Sequence, residues 1–347
     1  MMRVSFCSTC AALAILMVVG CGPSTGGDDT VDYDAGHNGD AINNHTHDDG
    51  GQWDAGQVDG PPPTAKIVWA HTDTTLFQGD PNVSPLTLTQ VGDFDCIGSG
   101  SGQDPSMTDV AADKDGNLYA VSNTAMYPLQ INGSTVHCVS THTLPSGAHF
   151  YGLTFAPAGV LRSTEMLVAA NSAGELWAID ETGATTQVGT FGNVPSNDGQ
   201  GHSYDSGNVG KAWELSGDIV FLENGGAPVG FATLRDCPTP PYSSSCNTVD
   251  TLVEIDLSKL SLGNTTSVTK AVKGQVVKAS TCTDSANTGY GSMYGITAWQ
   301  DKVYGFSRQG FLVEINNGNG SACLVKDYSP SKFAGAGITT SAPVVID

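Results

Sequence analysis

From about residue 64 onward, apolar and polar residues alternate in runs of four to six that end at Gly, Asn or Asp. No window holds apolar residues at i, i+3, i+4 and i+7 over three turns, so the pattern predicts strands and turns and no amphipathic helix. The runs also repeat. One unit reads Ser106–Ala112, a turn at Asp113–Asn117, then Leu118–Ser122 and Tyr127–Ile131. A second holds His149–Phe155, Glu175–Asp180, a turn at Glu181–Gly183 and Thr186–Gly189. A third holds Gly217–Phe221, Gly230–Thr233 and Thr251–Asp256; a fourth holds Ser292–Ala298, Lys302–Phe306 and Phe311–Asn316.

Four short strands joined by tight turns are the content of one propeller blade. The units resemble blades of many bacterial propellers: an inner strand, a turn like Asp113–Tyr119, then a run like Leu176–Asp180 and a Gly-containing turn. The C-terminus supplies one more inner-strand match, Gly335–Ser341, with no outer strands behind it. The leading segment has outer strands and no inner one, at Ile67–Ala70, Thr75–Phe77 and Leu86–Val91. Joining the two closes a ring and removes the exposed sheet edges. The expected fold is therefore all-β, a five-bladed β-propeller closed by N- and C-terminal strands. Six blades would need another unit within 192–216 or 257–281, and a β-sandwich is the alternative.

The first 63 residues read differently. Arg3 and the apolar run Ala11–Val19 have the form of a signal peptide, too short for a permanent transmembrane helix. The run ends in Val18-Val19-Gly20-Cys21, which resembles the lipobox of bacterial lipoproteins. That resemblance implies cleavage before Cys21 (residues 1–20 removed) and a palmitate-type lipid anchor on the Cys21 thiol, which holds a chain at a membrane without a spanning helix. Residue 22 is Gly rather than Asp, so an inner-membrane retention signal is missing, and the expected location is the outer membrane or cell surface. Cys7 and Cys10 fall in the removed peptide. Residues 21–63 form an acidic linker with nine Asp and no Lys or Arg, expected to be disordered and to span roughly 35–40 Å. Its Asp-Ala-Gly repeats at 34–36 and 54–56 resemble tethers of myxobacteria-like surface lipoproteins.

Residues 64–347 form the folded domain, where 26 acidic side chains outnumber 13 basic ones. That balance argues against nucleic acid or an anionic membrane surface as partner. The expected contacts are the membrane through the lipid and an unidentified protein or glycan, with the domain a monomer. Beyond Cys21, six cysteines remain: Cys96, Cys138, Cys237, Cys246, Cys282 and Cys323, an even number that suits disulfides in an exported protein. The separations 96–138 and 282–323 are nearly equal and each pair brackets a unit that opens with Ser-Met, so the expected pairs are Cys96–Cys138, Cys282–Cys323 and, locally, Cys237–Cys246.

In a propeller, a ligand site sits at one mouth of the central channel. Aligning the repeats puts Met107, Asp109, His149, Tyr151, Trp213, Met293 and Tyr294 near that mouth, with Ala336 and Gly337 at the fifth position. Aromatics there suit a flat ligand such as a sugar, although repeat-position aromatics also serve as packing between blades. The loop Pro195–Asp205 offers Asp198 and Asp205 as calcium ligands, or is simply a surface loop. Asp113–Gly116 lacks the distal Glu of a calcium loop and reads as a hairpin turn. There is no GxSxG, HExxH or P-loop. Ala178–Gly183 resembles the blade motif of quinoprotein dehydrogenases but is one residue short and lacks the following Trp. Asp115–Tyr119 resembles an element of gluconolactonase-type lactonases, whose metal-binding Glu, Asn and Asp set is not found here; Asp109 is the one matching inner-strand acid. A non-enzymatic binding or scaffold domain without cofactor is therefore expected, the alternative being a metal-dependent hydrolase using Asp109 and His149.

Overall fold

The structure, a computed structural model, describes residues 67–237, 248–284 and 288–346. Contacts divide the chain into Met1–Asp48 and Asp49–Asp347, and every described residue belongs to the second unit. The signal peptide, Cys21 and the acidic linker lie outside the described residues. Among the described residues, no helix is long and apolar enough to cross a membrane.

Twenty-one strands are described, and they sort into five four-stranded antiparallel blades. Blade I holds β1 (Val68–Thr72), β2 (Thr75–Gly79) and β3 (Thr89–Phe94). Blade II holds β4 (Met107–Ala112), β5 (Leu118–Ser122), β6 (Ala125–Asn132) and β7 (Thr135–Cys138), with the short β8 (His142–Thr143) beside β6. Blade III is β9 (Phe150–Ala156), β10 (Met166–Asn171), β11 (Glu175–Ile179) and β12 (Thr185–Thr190). Blade IV is β13 (Glu214–Leu222), β14 (Val229–Arg235), β15 (Thr251–Ile255) and β16 (Thr269–Gln275). Blade V is β17 (Met293–Trp299), β18 (Lys302–Ser307), β19 (Phe311–Asn316) and β20 (Ala322–Asp327). The last strand, β21 (Phe333–Gly337), pairs with β1 as the inner strand of blade I, so both ends of the domain build one blade. Inner strands β4, β9, β13, β17 and β21 follow one another around the axis and close the ring.

Successive side chains of a strand point to opposite faces, and here both faces of each blade meet a neighbouring blade. Inner strands are consequently buried almost throughout, wholly so in β4 and β13, whereas the outer β12 and β20 are partly open to solvent. The apolar core is accordingly a set of clusters between blades. Met107, Val110 and Phe94 pack between I and II, and Tyr119, Phe150 and Phe155 between II and III. Val168, Phe221 and Val253 pack between III and IV. A larger cluster spans IV, V and I.

The closing strand lies two residues earlier than the Gly335–Ser341 match read from the sequence. Phe333 decides this: its ring stacks edge-on to Phe306, Tyr328 and Phe77 at 5.5, 5.8 and 6.3 Å. Among the described residues no sixth blade is present. The stretch 192–216 is a loop pinned by bridges Asn193–Ala212 and Asn197–Ser203, followed by the start of β13, while 257–281 supplies β16.

The disulfides Cys96–Cys138 and Cys282–Cys323 are present as expected, but they join blades rather than close single units. Cys96 follows β3 of blade I and Cys138 ends β7 of blade II, beside parallel pairing of Asp93 with Thr135 and Phe94 with Val136. Cys282 follows β16 of blade IV and Cys323 lies on β20 of blade V, beside a parallel bridge of Lys278 to Ala322. A similar bridge, Thr190–Ser267, links III to IV without sulfur. Cys246 lies outside the described residues, and the expected Cys237–Cys246 pair with it.

Replacing Phe333 by Ala is expected to lower unfolding stability by about 3–5 kcal/mol, read by denaturant titration, because the closing strand loses its aromatic anchor. The double change Cys282→Ser with Cys323→Ser should cost about 4 kcal/mol on the loop-closure estimate, measured the same way under non-reducing conditions.

Candidate functional site: the channel and its two mouths

Inner-strand residues Asp109, Gly152, Asp218, Gly295 and Gly335 stand at one level around the axis. Asp109 Oδ1 accepts the Val110 amide at 2.8 Å, and its Oδ2 accepts the amide of Leu153 on the next inner strand. Asp218 repeats the arrangement, taking the Ile219 amide at 2.6 Å and the Ile296 amide of the next strand at 2.7 Å. The two carboxyls also hydrogen-bond each other. Both residues are 0% exposed. The remaining strands bring glycine to this level because nothing larger fits. A Cβ on Gly335 would stand 2.1 Å from Asp109 Oδ1 and 2.3 Å from His71 Nε2, and one on Gly295 2.6 Å from the Gly335 carbonyl carbon.

Loss of solvent disfavours the charged form of a buried acid, and a neighbouring carboxylate adds to that cost. Burial raises Asp218 to about 8. Asp109 is raised well above the carboxylate range by burial and then by Asp218. The pair therefore retains a proton at neutral pH. His71, on β1, moves the other way: burial lowers it to about 4, so the ring is neutral and no ion pair forms across the 3.7 Å to Asp109. Its Nδ1 donates to the Thr72 carbonyl at 2.7 Å, which leaves Nε2 without a hydrogen.

Every inner strand starts at the upper mouth. Asp73 and Arg308, from the β1–β2 and β18–β19 turns, form a two-armed ion pair there, both N–O distances 2.8 Å. The Arg308 guanidinium lies 5.8 Å from the centre of the Tyr294 ring. Tyr294 is half-buried, Tyr151 is 38% exposed at the same position of β9, and His149 is exposed on the loop before it. Asp250, buried, accepts the Met293 amide at 2.7 Å and the Ser216 hydroxyl at 2.5 Å, and burial brings its carboxyl up to about 6.

The lower mouth is covered by residues 338–346. Thr339 bridges Ala112 of blade II, and Thr340 donates its hydroxyl to Glu165 of blade III. The Thr340 carbonyl accepts the Glu223 amide at 2.8 Å, below blade IV. Val345 donates its amide to the Gln300 carbonyl at 2.7 Å, and its carbonyl accepts Asn317 Nδ2 at 2.6 Å, both from blade V.

The side chains expected around one mouth thus divide. His149, Tyr151 and Tyr294 reach the upper rim. Met107 and Met293 are buried between blades, and Trp213, 2% exposed, stacks edge-on to Tyr204 at 5.2 Å. Asp109 is buried at the axis and its oxygens are bonded to the Val110 and Leu153 amides. At the fifth position, Gly335 rather than Ala336 or Gly337 matches Asp109. Asp198 accepts the Gln200, His202 and Gln275 amides and His202 Nδ1, all at 2.7–3.0 Å, so its oxygens knit the loop. Asp205 caps the Gly207 amide at 2.7 Å. Asp113 takes the Asp115 and Asn117 amides at 2.9 Å each, making the turn its sequence suggested. Among the described residues, the group of three side chains close enough to share an ion is Asp95, Cys96 and Cys138, where the disulfide occupies both sulfurs.

Asp218, His71 and Gly335 were not singled out from the sequence. Gly217-Asp218-Ile219 does repeat Thr108-Asp109-Val110 in the aligned units, so Asp218 had a signal. His71 lies on a second strand and had none.

No family model matches this chain, and no curated protein matches it. Solved structures with some likeness include a protein of unknown function from Bacteroides caccae, 9% identical, TM-score 0.34, covering 79% of this chain and 98% of that one. The WD40 β-propeller domain of Doa1 is 9% identical with TM-score 0.36, covering 80% and 83%. U3-55K is 12% identical with TM-score 0.37, covering 81% and 87%. The propeller fold rests on this chain's own sheet order.

Gly335→Ala is expected to destabilise the ring by about 1–3 kcal/mol or more through overpacking against Asp109 and His71. Thermal melts of Gly335→Ala beside Gly98→Ala, where a Cβ would meet only the far end of the Gln103 side chain at 3.1 Å, separate that clash from the general cost of replacing glycine.

Proposed function

We propose that this chain is a cell-envelope lipoprotein whose propeller is a non-catalytic binding module, with its ligand docking at the upper mouth. The observation that carries the reading is the difference between the two mouths. The lower one is covered by the domain's own C-terminal segment across blades II to V. The upper one presents Tyr151, Tyr294 and the Arg308–Asp73 pair on a rigid rim of strand ends and tight turns. Exposed aromatic faces beside a fixed guanidinium–carboxylate pair suit a glycan or a polar protein loop, through stacking and directed hydrogen bonds.

A catalytic reading would pair the rim imidazole of His149 with a carboxylate within reach of substrate. Asp109 and Asp218 have their oxygens bonded to backbone amides and to each other, and Asp250 is held by Ser216 and Met293. Placement at an envelope follows from the Cys21 lipobox and the acidic linker. The expected host is a bacterium, with the outer membrane or the cell surface as the site of display.

Screening the protein on a glycan array and against envelope-protein extracts should yield a ligand whose binding falls at least about tenfold in Tyr151→Ala/Tyr294→Ala, a loss of about 1.4 kcal/mol. Unchanged binding would reject this mouth. Radiolabelled palmitate should enter the full chain in a bacterial host and be absent from Cys21→Ser.

A further inference from the structure

The axial carboxyls do more than fill space. Asp109 ties β4 to β9, Asp218 ties β13 to β17, and the contact between the acids joins the two pairs of strands beside the Phe221 amide of β13, which donates to Thr154 Oγ1 of β9 at 3.1 Å. Four of the five inner strands thus touch at one carboxyl–carboxyl hydrogen bond, both of whose partners are 0% exposed. Such a bond exists only while at least one of the two acids is protonated. With both ionised, two like charges face each other in a medium that screens them poorly.

The surroundings offer nothing to replace that proton. At this level β9, β17 and β21 contribute Gly152, Gly295 and Gly335. β1 contributes His71, neutral, with an unprotonated Nε2 that cannot donate to Asp109. Asp73 and Arg308 act on His71 with opposite sign, and they are paired with each other. One residue above on β9 and β17 stand Tyr151 and Tyr294, neither of them a cation. Among the described residues, no positive charge is positioned to stabilise a doubly ionised pair.

We propose that Asp109 and Asp218 form a proton-operated latch: while they share a proton, the inner strands are drawn together, and its loss to solvent base loosens the ring beneath the upper mouth. The step breaks one O–H bond and leaves two carboxylates, with the proton taken up by hydroxide or buffer. A raised folded-state pKa has a defined sign. It contributes stability that is whole below the ordinary carboxylate range and is lost as pH rises toward the folded value. For Asp218 that window ends at about 8. Asp250 adds the same sign over a window ending at about 6. The latch stands whether or not the mouth binds the ligand proposed above.

The test is an amide NMR titration of the intact protein from about pH 5 to about pH 10, a range in which an ordinary carboxylate is already ionised. The Ile296 amide, donating to Asp218, is expected to shift with a midpoint near 8 and the Leu153 amide, donating to Asp109, well above the ordinary carboxylate range, the melting temperature falling as pH rises toward these values. Asp218→Asn should abolish the shift of the Ile296 amide, move that of the Leu153 amide to lower pH because Asp109 loses its charged neighbour, and lessen the fall in melting temperature above the Asp250 window. Should that variant fail to fold, the wild-type titration decides alone. Amides that stay still, or that titrate in the ordinary carboxylate range, would overturn the latch, as would a melting temperature that rises with pH through the titration.

Discussion

The structure depends on how little room five converging strands leave at their common axis. Each inner strand must bring one residue to the level of Asp109, and the space holds two carboxyl side chains and three glycines. Larger groups at the glycine positions would push strands apart, and apolar side chains in place of the acids would leave the facing amides of Leu153 and Ile296 unpaired. A buried amide without a partner costs on the order of 1–3 kcal/mol. The acids satisfy those amides and each other, at the cost of holding a proton.

Closing the ring then falls to contacts at its periphery. β21 returns the C-terminal end to β1, with Phe333 wedged among Phe77, Phe306 and Tyr328. Asp73 and Arg308 clamp the same seam from above. The two disulfides stand one interface away on either side, joining I to II and IV to V. The blades that contain or adjoin the chain's free ends are therefore the ones held by covalent links. Blades II to IV, continuous in the chain, are joined by hydrogen bonds and apolar packing.

This arrangement gives the domain two unlike faces. Below, residues 338–346 cover the channel and bury Glu165 under Thr340. Above, the strand starts are rigid and carry aromatic groups at the rim. An acidic domain that hides carboxyls as neutral, hydrogen-bonded groups lowers the self-repulsion that its composition would otherwise impose. The aromatic rim of the upper mouth supports the reading of a binding module, since the buried acids are occupied in holding strands.

The sequence by itself determined the fold class, the blade count and the closure by both termini. Those features are local: period-two alternation, turn residues and repeated units are written into contiguous stretches. The Cys96–Cys138 and Cys282–Cys323 pairs were legible from equal spacing in a repeating chain. What the tertiary structure decided was which way those repeats face. Met107, Met293 and Trp213 occupy repeat positions that look like a rim when aligned, yet packing between blades buries them. Gly335–Ser341 resembled an inner strand, but the aromatic seat for Phe333 shifted the strand by two residues and freed the rest to cover the lower mouth. His71 reaches Asp109 from another strand, and Asp109 reaches Asp218 across the axis. Contacts between residues 38 and 109 positions apart depend on the ring being closed, and no local pattern encodes them.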